Sequence, residues 1–464
     1  MKTPVLDKNF YPMIKALEEY DAKVKKCGIK TEVVLVAERN GGYNYVYRYT
    51  AFADGCGEDE LNFRIAERLA KTILWVVGGY KISVAGSKKI YEGLKEAYTS
   101  SGARAFDVDF MSGVYERPFE VTWLEENEIP AQKNCSMRVG GYLKGCRIGF
   151  DAGGSDRKVS AVIDGEVVYS EEVVWHPKTT EDPHYHYNEI LTAMKTAASK
   201  MPRVDCIGVS SAGVYVDNKI MVASLFIKVD KQKHGDFVKN MYIDIAKEMG
   251  NVPLEVANDG DVTALAGSID LGDNKVLGIA MGTSEAVGYI NADGGINGWL
   301  SELAFVPVDF NENAMADEWS GDTGVGCKYF SQDAVIKLAE AGGYKFKAGA
   351  TPAEKLKEIQ ALMERTIPSR GRFTRTSAFI SLIPFLLRKV LRHEARASFR
   401  ARDGRKGRKY SARHLQKGAC GGVSPICGAG HFPARRKEQK GGAEYRGRVS
   451  SRRSGIKTAG ERIQ

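Results

Sequence analysis

Residues 147–170 read RIGFDAGGSDRKVSAVIDGEVVYS, and the fold turns on how this stretch is taken. An apolar run, Ile148-Gly149-Phe150, leads to a carboxylate at Asp151. Gly153, Gly154 and Ser155 follow at once. Two runs of β-forming residues come next, Lys158 to Ile163 and Glu166 to Tyr169, hinged on Asp164-Gly165. An Asp-Gly pair between extended runs is a strong hairpin signal. The stretch therefore predicts strand, glycine turn, strand, tight hairpin, strand. Glycines let a backbone approach an anion closely, and their N–H groups can cradle phosphate. A carboxylate at the strand end can hold Mg²⁺ through water beside such phosphates. An ordinary β-turn with a solvated Asp accounts for the same residues, since short glycine motifs recur by chance.

Working outward, the 464 residues have room for two or three domains with true cores. No apolar run reaches the length of a membrane span, and MKTPVLDKNFYPMIK lacks the apolar region of a signal peptide. Eight cysteines are scattered without a CxxC pair, which suits reduced thiols and a cytoplasmic location. The net charge of +9 hides two different compositions. Residues 366–464 carry 25 Lys and Arg against five Asp and Glu, whereas residues 1–365 carry 42 against 53. The mildly acidic body has no electrostatic footprint for nucleic acid.

Residues 1–145 read as an α/β module. Phe10, Met13, Ile14, Leu17, Tyr20 and Val24 recur at helical spacing. Two strands, Val33 to Glu38 and Tyr43 to Phe52, flank Asn40-Gly41-Gly42, and Leu61, Ile65, Leu69 and Ile73 mark a helix ending at Gly78-Gly79. Lys81 to Ala85 reads as a strand, Lys88 to Tyr98 as a helix, and Phe106 to Trp123 as further extended segments. The alternating Tyr43, Tyr45, Tyr47 and Tyr49 fit packing along one strand face.

Beyond Arg147 strands again alternate with helices. Val204 to Ser210 is a buried strand, Gly235 to Glu248 a helix, and Leu254 to Ala257 a short strand running into Asn258-Asp259-Gly260-Asp261. Val276 to Met281 is a strand that meets Gly282-Thr283-Ser284. Ser331 to Glu340 and Pro352 to Arg365 are helical. Polar turns thus end three strands, where open α/β sheets place their ligand groups. Together they point to a phosphotransfer cleft.

On these motifs the chain resembles the ROK family of sugar kinases and related proteins, within the actin–hexokinase–Hsp70 ATPase fold. DAGGS at 151–155 is similar to the family's first phosphate loop, Gly208 to Gly213 to its next strand-end loop, and Asn258-Asp259 to its sugar-binding Asn and catalytic Asp. Gly282-Thr283-Ser284 stands where the second phosphate loop belongs, with fewer glycines. Ser301-Glu302-Leu303 resembles the family's Gly-Glu-Ile, whose Glu contacts sugar. The resemblance covers about 147–343.

The departures bear on substrate and metal. The family's zinc-ligating His falls on Phe305. Its cysteine-rich segment aligns with residues 320–327, with Ser320 and Val325 at two cysteine positions and Cys327 at a sugar-binding Glu. Val325 cannot ligate zinc, so no structural zinc is expected.

Patterning, composition and the resemblance together lead to the expectation of an α/β chain in three parts. Residues 1–145 form an N-terminal α/β module of unknown role. Residues 146–365 form a ribonuclease H-like actin/hexokinase-type ATPase core with an incomplete second half. Residues 366–464 form a disordered basic tail. The implied function is ATP-dependent phosphoryl transfer to a hydroxyl of a sugar or sugar derivative. Asp259 is the base, and Asn258 and Glu302 bind substrate. Gly153, Gly154, Ser155, Gly282, Thr283 and Ser284 hold phosphate, and Asp151 positions Mg²⁺ through water. Capping of a helix accounts equally for Asn258 and Asp259. ATP and Mg²⁺ are the expected cofactors and a sugar-like small molecule the expected partner. No specific nucleic acid or membrane is expected, and a homodimer is left open. The alternatives are a non-catalytic ligand-binding relative or an inactive truncated product. A ROK repressor fits less well, because residues 1–145 show no helix-turn-helix pattern.

The tail departs in kind. Residues 1–365 use 31 Lys to 11 Arg, and residues 366–464 use seven to 18. Neither an adenosine-binding loop nor a long closing helix is legible there. Codons for residues 366–386 exist that, read one base along, encode an amphipathic helix. A frameshift near Arg365–Thr366 is therefore the expectation, with a basic arm for RNA or acidic membrane as its rival.

Overall fold

The computed structural model describes residues 6–137, 140, 142, 144–281 and 284–366. Gly282, Thr283 and the tail beyond Thr366, with its expected disorder, lie outside the described residues.

The first sheet grows from the Asn40-Gly41-Gly42 turn. Helix α1 (Met13–Lys26) precedes β1 (Lys30–Glu38), which pairs antiparallel with β2 (Asn44–Phe52). Helix α2 (Asp59–Val77) leads to β3 (Lys81–Ala85), antiparallel to β1. Helices α3 (Lys88–Ala97) and α4 (Ala105–Tyr115) follow, and β4 (Glu120–Trp123) adds parallel to β3. The order is β2-β1-β3-β4.

Helix α4 corrects the extended reading of Phe106 to Trp123, of which only β4 is strand. Aromatic residues favour strands, but here the spacing wins. Phe106 and Phe110, four apart, both pack on Trp75, with ring centroids 6.0 and 4.7 Å away.

The second sheet contains the diagnostic stretch. Strand β5 (Cys146–Ala152), β6 (Asp156–Ile163) and β7 (Glu166–Val174) form the expected antiparallel meander. Asp164 and Gly165 both take positive φ at the hairpin, as a type I′ turn requires. Helix α5 (Pro183–Ala198) crosses back to β8 (Cys206–Ser211), parallel to β5. A small hairpin, β9 (Val214–Val216) with β10 (Lys219–Val222), comes next. The helix expected over Gly235 to Glu248 is split. A short turn α6 (Lys231–Lys233) runs into a wide turn over His234–Val238, and α7 (Met241–Glu248) starts afresh after Asn240. Strand β11 (Leu254–Asn258) then joins β8 in parallel. The resulting order, β11-β8-β5-β6-β7, is that of a ribonuclease H-like sheet. It is the α/β sheet order expected of the fold that the sequence resembles.

Helix α8 (Asp259–Leu271) packs on a hairpin of β12 (Val276–Met281) and β13 (Glu285–Ile290). Glycines permit this contact: a Cβ on Gly260 would stand 2.5 Å from the Val287 nitrogen, and one on Gly278 2.7 Å from the Ala264 Cα. Helices α9 (Gln332–Ala341) and α10 (Pro352–Thr366) follow.

One buried apolar cluster spans both sides of residue 145. It joins Met13, Leu69, Trp75 and Val84 to Val287, Leu303, Val308 and Phe330. The backbone ties the same regions together, with Met13 N–H donating to the Val308 carbonyl at 3.0 Å and Phe310 N–H to Tyr11 at 2.7 Å. A separate cluster, including Ile148, Phe150, Ile190, Val209 and Tyr242, fills the space behind the second sheet.

Candidate functional site

Asp151 sits near the end of β5, opposite Lys158 on β6 and Ser210 on β8. Burial pushes its carboxyl up, opposed by a hydrogen bond from Ser210 and by the Lys158 charge. The following glycine turn is held from one side by Trp175. Its indole N–H donates to the Gly153 carbonyl at 2.8 Å and its backbone N–H to the Ser155 carbonyl at 3.1 Å. Side chains are kept off by geometry as well. A Cβ on Gly153 would lie 2.6 Å from the Asp156 carbonyl oxygen, and one on Gly154 2.8 Å from the Lys178 ammonium. Lys158 pairs with Asp156 at 2.9 Å, and that contact holds the Asp156 carboxyl below its usual range. Two ammonium groups thus stand beside a glycine turn at a strand end.

Asn258 and Asp259 form the junction of β11 and α8. The Asn258 carbonyl oxygen accepts from Gly260 N–H at 2.7 Å, which makes it the helix cap. Its amide donates to the Gly213 carbonyl at 2.7 Å and so fixes the loop after β8. Both ends of this amide are engaged within the protein. Asp259 is placed differently: its Oδ1 accepts a 3.1 Å contact from Gly260 N–H, and its carboxyl is otherwise met by its own backbone N–H. Burial, then the nearby Asp151 charge, pushes its carboxyl up.

Glu302 is positioned by the N-terminal region. Helix α2 ends with carbonyls that lack helical partners, and residues 300–302 satisfy them. Ser301 N–H donates to Val76 and Glu302 N–H to Trp75, each at 2.9 Å. Burial, Asp259 and Asp261 together push Glu302 up to about 8. Asp261, two residues after Asp259 in α8, is pushed up to about 7 by burial and by Asp259, against a backbone hydrogen bond from Tyr289.

The row ends at Glu285, the first residue of β13. It is 6% exposed, and neither carboxyl oxygen has a hydrogen-bond partner among the described residues. Burial and the Glu302 charge push it up to about 8. One of its oxygens lies against Gly326, in space that any Cβ there would take.

The structure therefore brings Asp151, Asp259 and Glu302 to one neighbourhood. Ser284 is exposed at the mouth of the β12–β13 hairpin, and its companions Gly282 and Thr283 lie outside the described residues. Sequence reasoning missed Asp261 and Glu285. The signal for Glu285 was present: an acid shares a strand face with Val287, a position whose alternation calls for an apolar residue.

The segment at the family's zinc positions is built from other chemistry. Phe305 packs on Trp75 with centroids 4.3 Å apart, and Val325 is fully buried. Ser320 donates through N–H and hydroxyl to Asp317 at 2.7 and 2.8 Å, and the Cys327 thiol donates to Asp317 at 3.4 Å. Asp322 enters a buried ion cluster. It meets Arg68 at 3.0 Å, Arg104 at 2.9 Å and Lys71 at 3.4 Å. Lys71 also pairs with Asp107 at 2.8 Å, and Glu67 pairs with Arg68 at 2.6 Å and with Arg104.

Among the described residues no three His, Cys, Asp or Glu side chains converge on a point that could hold a metal ion. No described helix is long and apolar enough to cross a membrane.

Several solved structures are similar to this chain. A ROK family glucokinase from Streptomyces griseus, in complex with glucose and AMPPNP, is 18% identical with a TM-score of 0.36, over 52% of this chain and 75% of that one. The ROK hexokinase from Thermus thermophilus is 14% identical with a TM-score of 0.37, over 53% and 78%. A ROK family transcriptional regulator, homologous to the E. coli MLC protein, is 16% identical with a TM-score of 0.36, over 54% and 61%. No family model and no curated protein matches the sequence.

Proposed function

We propose that the chain is built for ATP-dependent phosphoryl transfer to a hydroxyl of a sugar or sugar derivative. The observation that carries this reading is that Asp259, on α8, lies within electrostatic reach both of Asp151, from β5, and of Glu302, from the segment after β13. In-line phosphoryl transfer needs a base at the acceptor and a phosphate cradle beside it. Asp259 is the base: its raised carboxyl lies closer to neutrality than a solvated Asp, which favours proton acceptance in the transition state. Glu302 orients the acceptor. Gly153, Gly154 and Ser155, with Lys158 and Lys178 beside them, receive phosphate oxygens, and Ser284 stands on the hairpin expected to contribute the second loop.

Mg²⁺ fits this donor set in one way. A single buried carboxylate, Asp151, suits an ion held mainly by phosphate and water, and the ion would neutralise phosphate charge there. Residues 1–145 serve the site by setting Glu302 through the end of α2.

The second reading, a ligand-binding relative without turnover, is favoured by Asn258, whose amide is committed to cap and loop. Truncation is part of the same account. A change of frame near Arg365 removes the adenosine subsite and leaves little turnover in the chain as written. Sequencing the gene around codon 365 tests that point; an uninterrupted frame together with protease resistance of residues 366–464 overturns it. For the reaction, ATP consumption is measured against a panel of sugars, with Asp259→Asn alongside. Loss of about 10²–10⁴ in rate is expected of a missing general base. Equal turnover by the variant removes Asp259 from the mechanism.

A further inference from the structure

We propose that Glu285 is an acceptor-recognition residue and that the group it receives is a protonated amine on a polyol, as in an amino sugar. This rests on reading the carboxyl row as the acceptor site, and it goes further by naming the chemistry of the acceptor. Four acids stand in sequence: Asp259 and Asp261 at the start of α8, then Glu302, then Glu285 on β13. None of the four forms an ion pair with a described Lys, Arg or His. The buried Glu285 carboxyl has no donor on either oxygen.

A buried carboxyl without a partner is costly, so a site that keeps one is shaped for a donor from outside. Among the described residues the four acids do not converge as a metal site, and an organic cation is a partner that needs no such convergence. An ammonium brings three N–H donors and a charge that favours the ionised carboxylates over their protonated forms, whereas neutral hydroxyls bring donors alone. The position is apt. Gly326 makes room for the Glu285 carboxyl, which adds a minor push to the Cys327 thiol already raised by burial and by Asp317. Cys327 occupies the place where the ROK resemblance expects a sugar-binding Glu. The carboxylate missing from that position is thus supplied from β13, on the other side of Gly326.

The test is direct binding by titration calorimetry on the full-length chain without nucleotide. The probes are 2-amino-2-deoxyglucose, its N-acetyl derivative and glucose, at a pH where the amine is charged. The amino sugar is expected to bind at least about tenfold tighter than either neutral probe, a difference of about 1.4 kcal/mol. Glu285→Gln is expected to abolish that preference without lowering the unfolding temperature. Equal binding of the three probes, no binding of any, or a preference retained in the variant overturns the proposal. If Glu285→Gln does not fold, the wild-type ranking decides alone. Preferential binding without ATP consumption, in a chain whose frame through codon 365 has been shown to be uninterrupted, sustains this inference and defeats the kinase reading. Turnover with equal binding of all three probes does the reverse.

Discussion

Two groups of charges are buried in this chain, and they are composed in opposite ways. Around Asp322, three cations (Arg68, Lys71 and Arg104) meet three anions (Glu67, Asp107 and Asp322). In the row from Asp259 to Glu285, acid faces acid, and each raises its neighbour. Lys71 and Asp107 are each 1% exposed and Glu285 6%, while Asp259, Asp261 and Glu302 are partly buried. Pairing is the sharper difference. A balanced cluster has satisfied its own charges and holds α2, α4 and the segment near Asp322 together. An unbalanced row keeps unmet electrostatic demand, which is the condition under which buried groups become functional.

The comparison breaks most readily at Lys71. Lys71→Met removes one cation and leaves Asp107 buried beside it with the Trp75 indole N–H, at 2.9 Å, as its remaining donor from α2 among the described residues. Denaturant unfolding is expected to show a loss of about 3–5 kcal/mol. A loss below about 1 kcal/mol means that the cluster is not structural. Gly260→Ala probes the other group. A new Cβ beside the Val287 backbone must part α8 from β13, with an expected cost of about 1–3 kcal/mol and displacement of Asp259 from Glu302. An unchanged stability contradicts the close packing. The smallest effect is expected at the exposed pair Lys195–Glu248, 2.6 Å apart on the surface. Lys195→Ala is expected to change stability by about 0–1 kcal/mol, measured in the same way, which scales the buried effects against a solvated pair.

These contrasts also mark where the sequence could be read. The meander of β5 to β7 was legible because Asp164-Gly165 and the glycine turn carry local backbone chemistry. The Asn258-Asp259 junction was legible as a strand end and as a cap, and the structure uses Asn258 as the cap. Helix α4 was misread as extended because Phe106 and Phe110 look β-forming until Trp75, more than thirty residues away, gives them a common target. The ion cluster was invisible for the same reason, since Arg68 and Asp322 meet only after folding. Glu285 was not singled out in the sequence; one of its carboxyl oxygens lies against Gly326, 41 residues on, a contact made only by folding. Local chemistry survives in a sequence, and long-range electrostatics does not.

The most direct test of the contrast is the pH dependence of unfolding, in the wild-type chain and in Glu285→Gln. Unfolded Glu ionises near pH 4.5, whereas Glu285 and Glu302 hold their protons up to about 8 in the fold. Between those values the native state binds more protons than the unfolded chain, so stability must fall as pH rises. The slope is at most about 1.4 kcal/mol per pH unit for each such acid, less where the acids titrate as a coupled set. The stabilisation is fully present below about 4.5 and gone above about 8. The account predicts declining stability from pH 5 to 8 in the wild type, with a shallower decline and greater stability at pH 8 in Glu285→Gln. A wild-type stability that is level or rises across this range, or an equal decline in the variant, contradicts the claim that the row is buried without compensation.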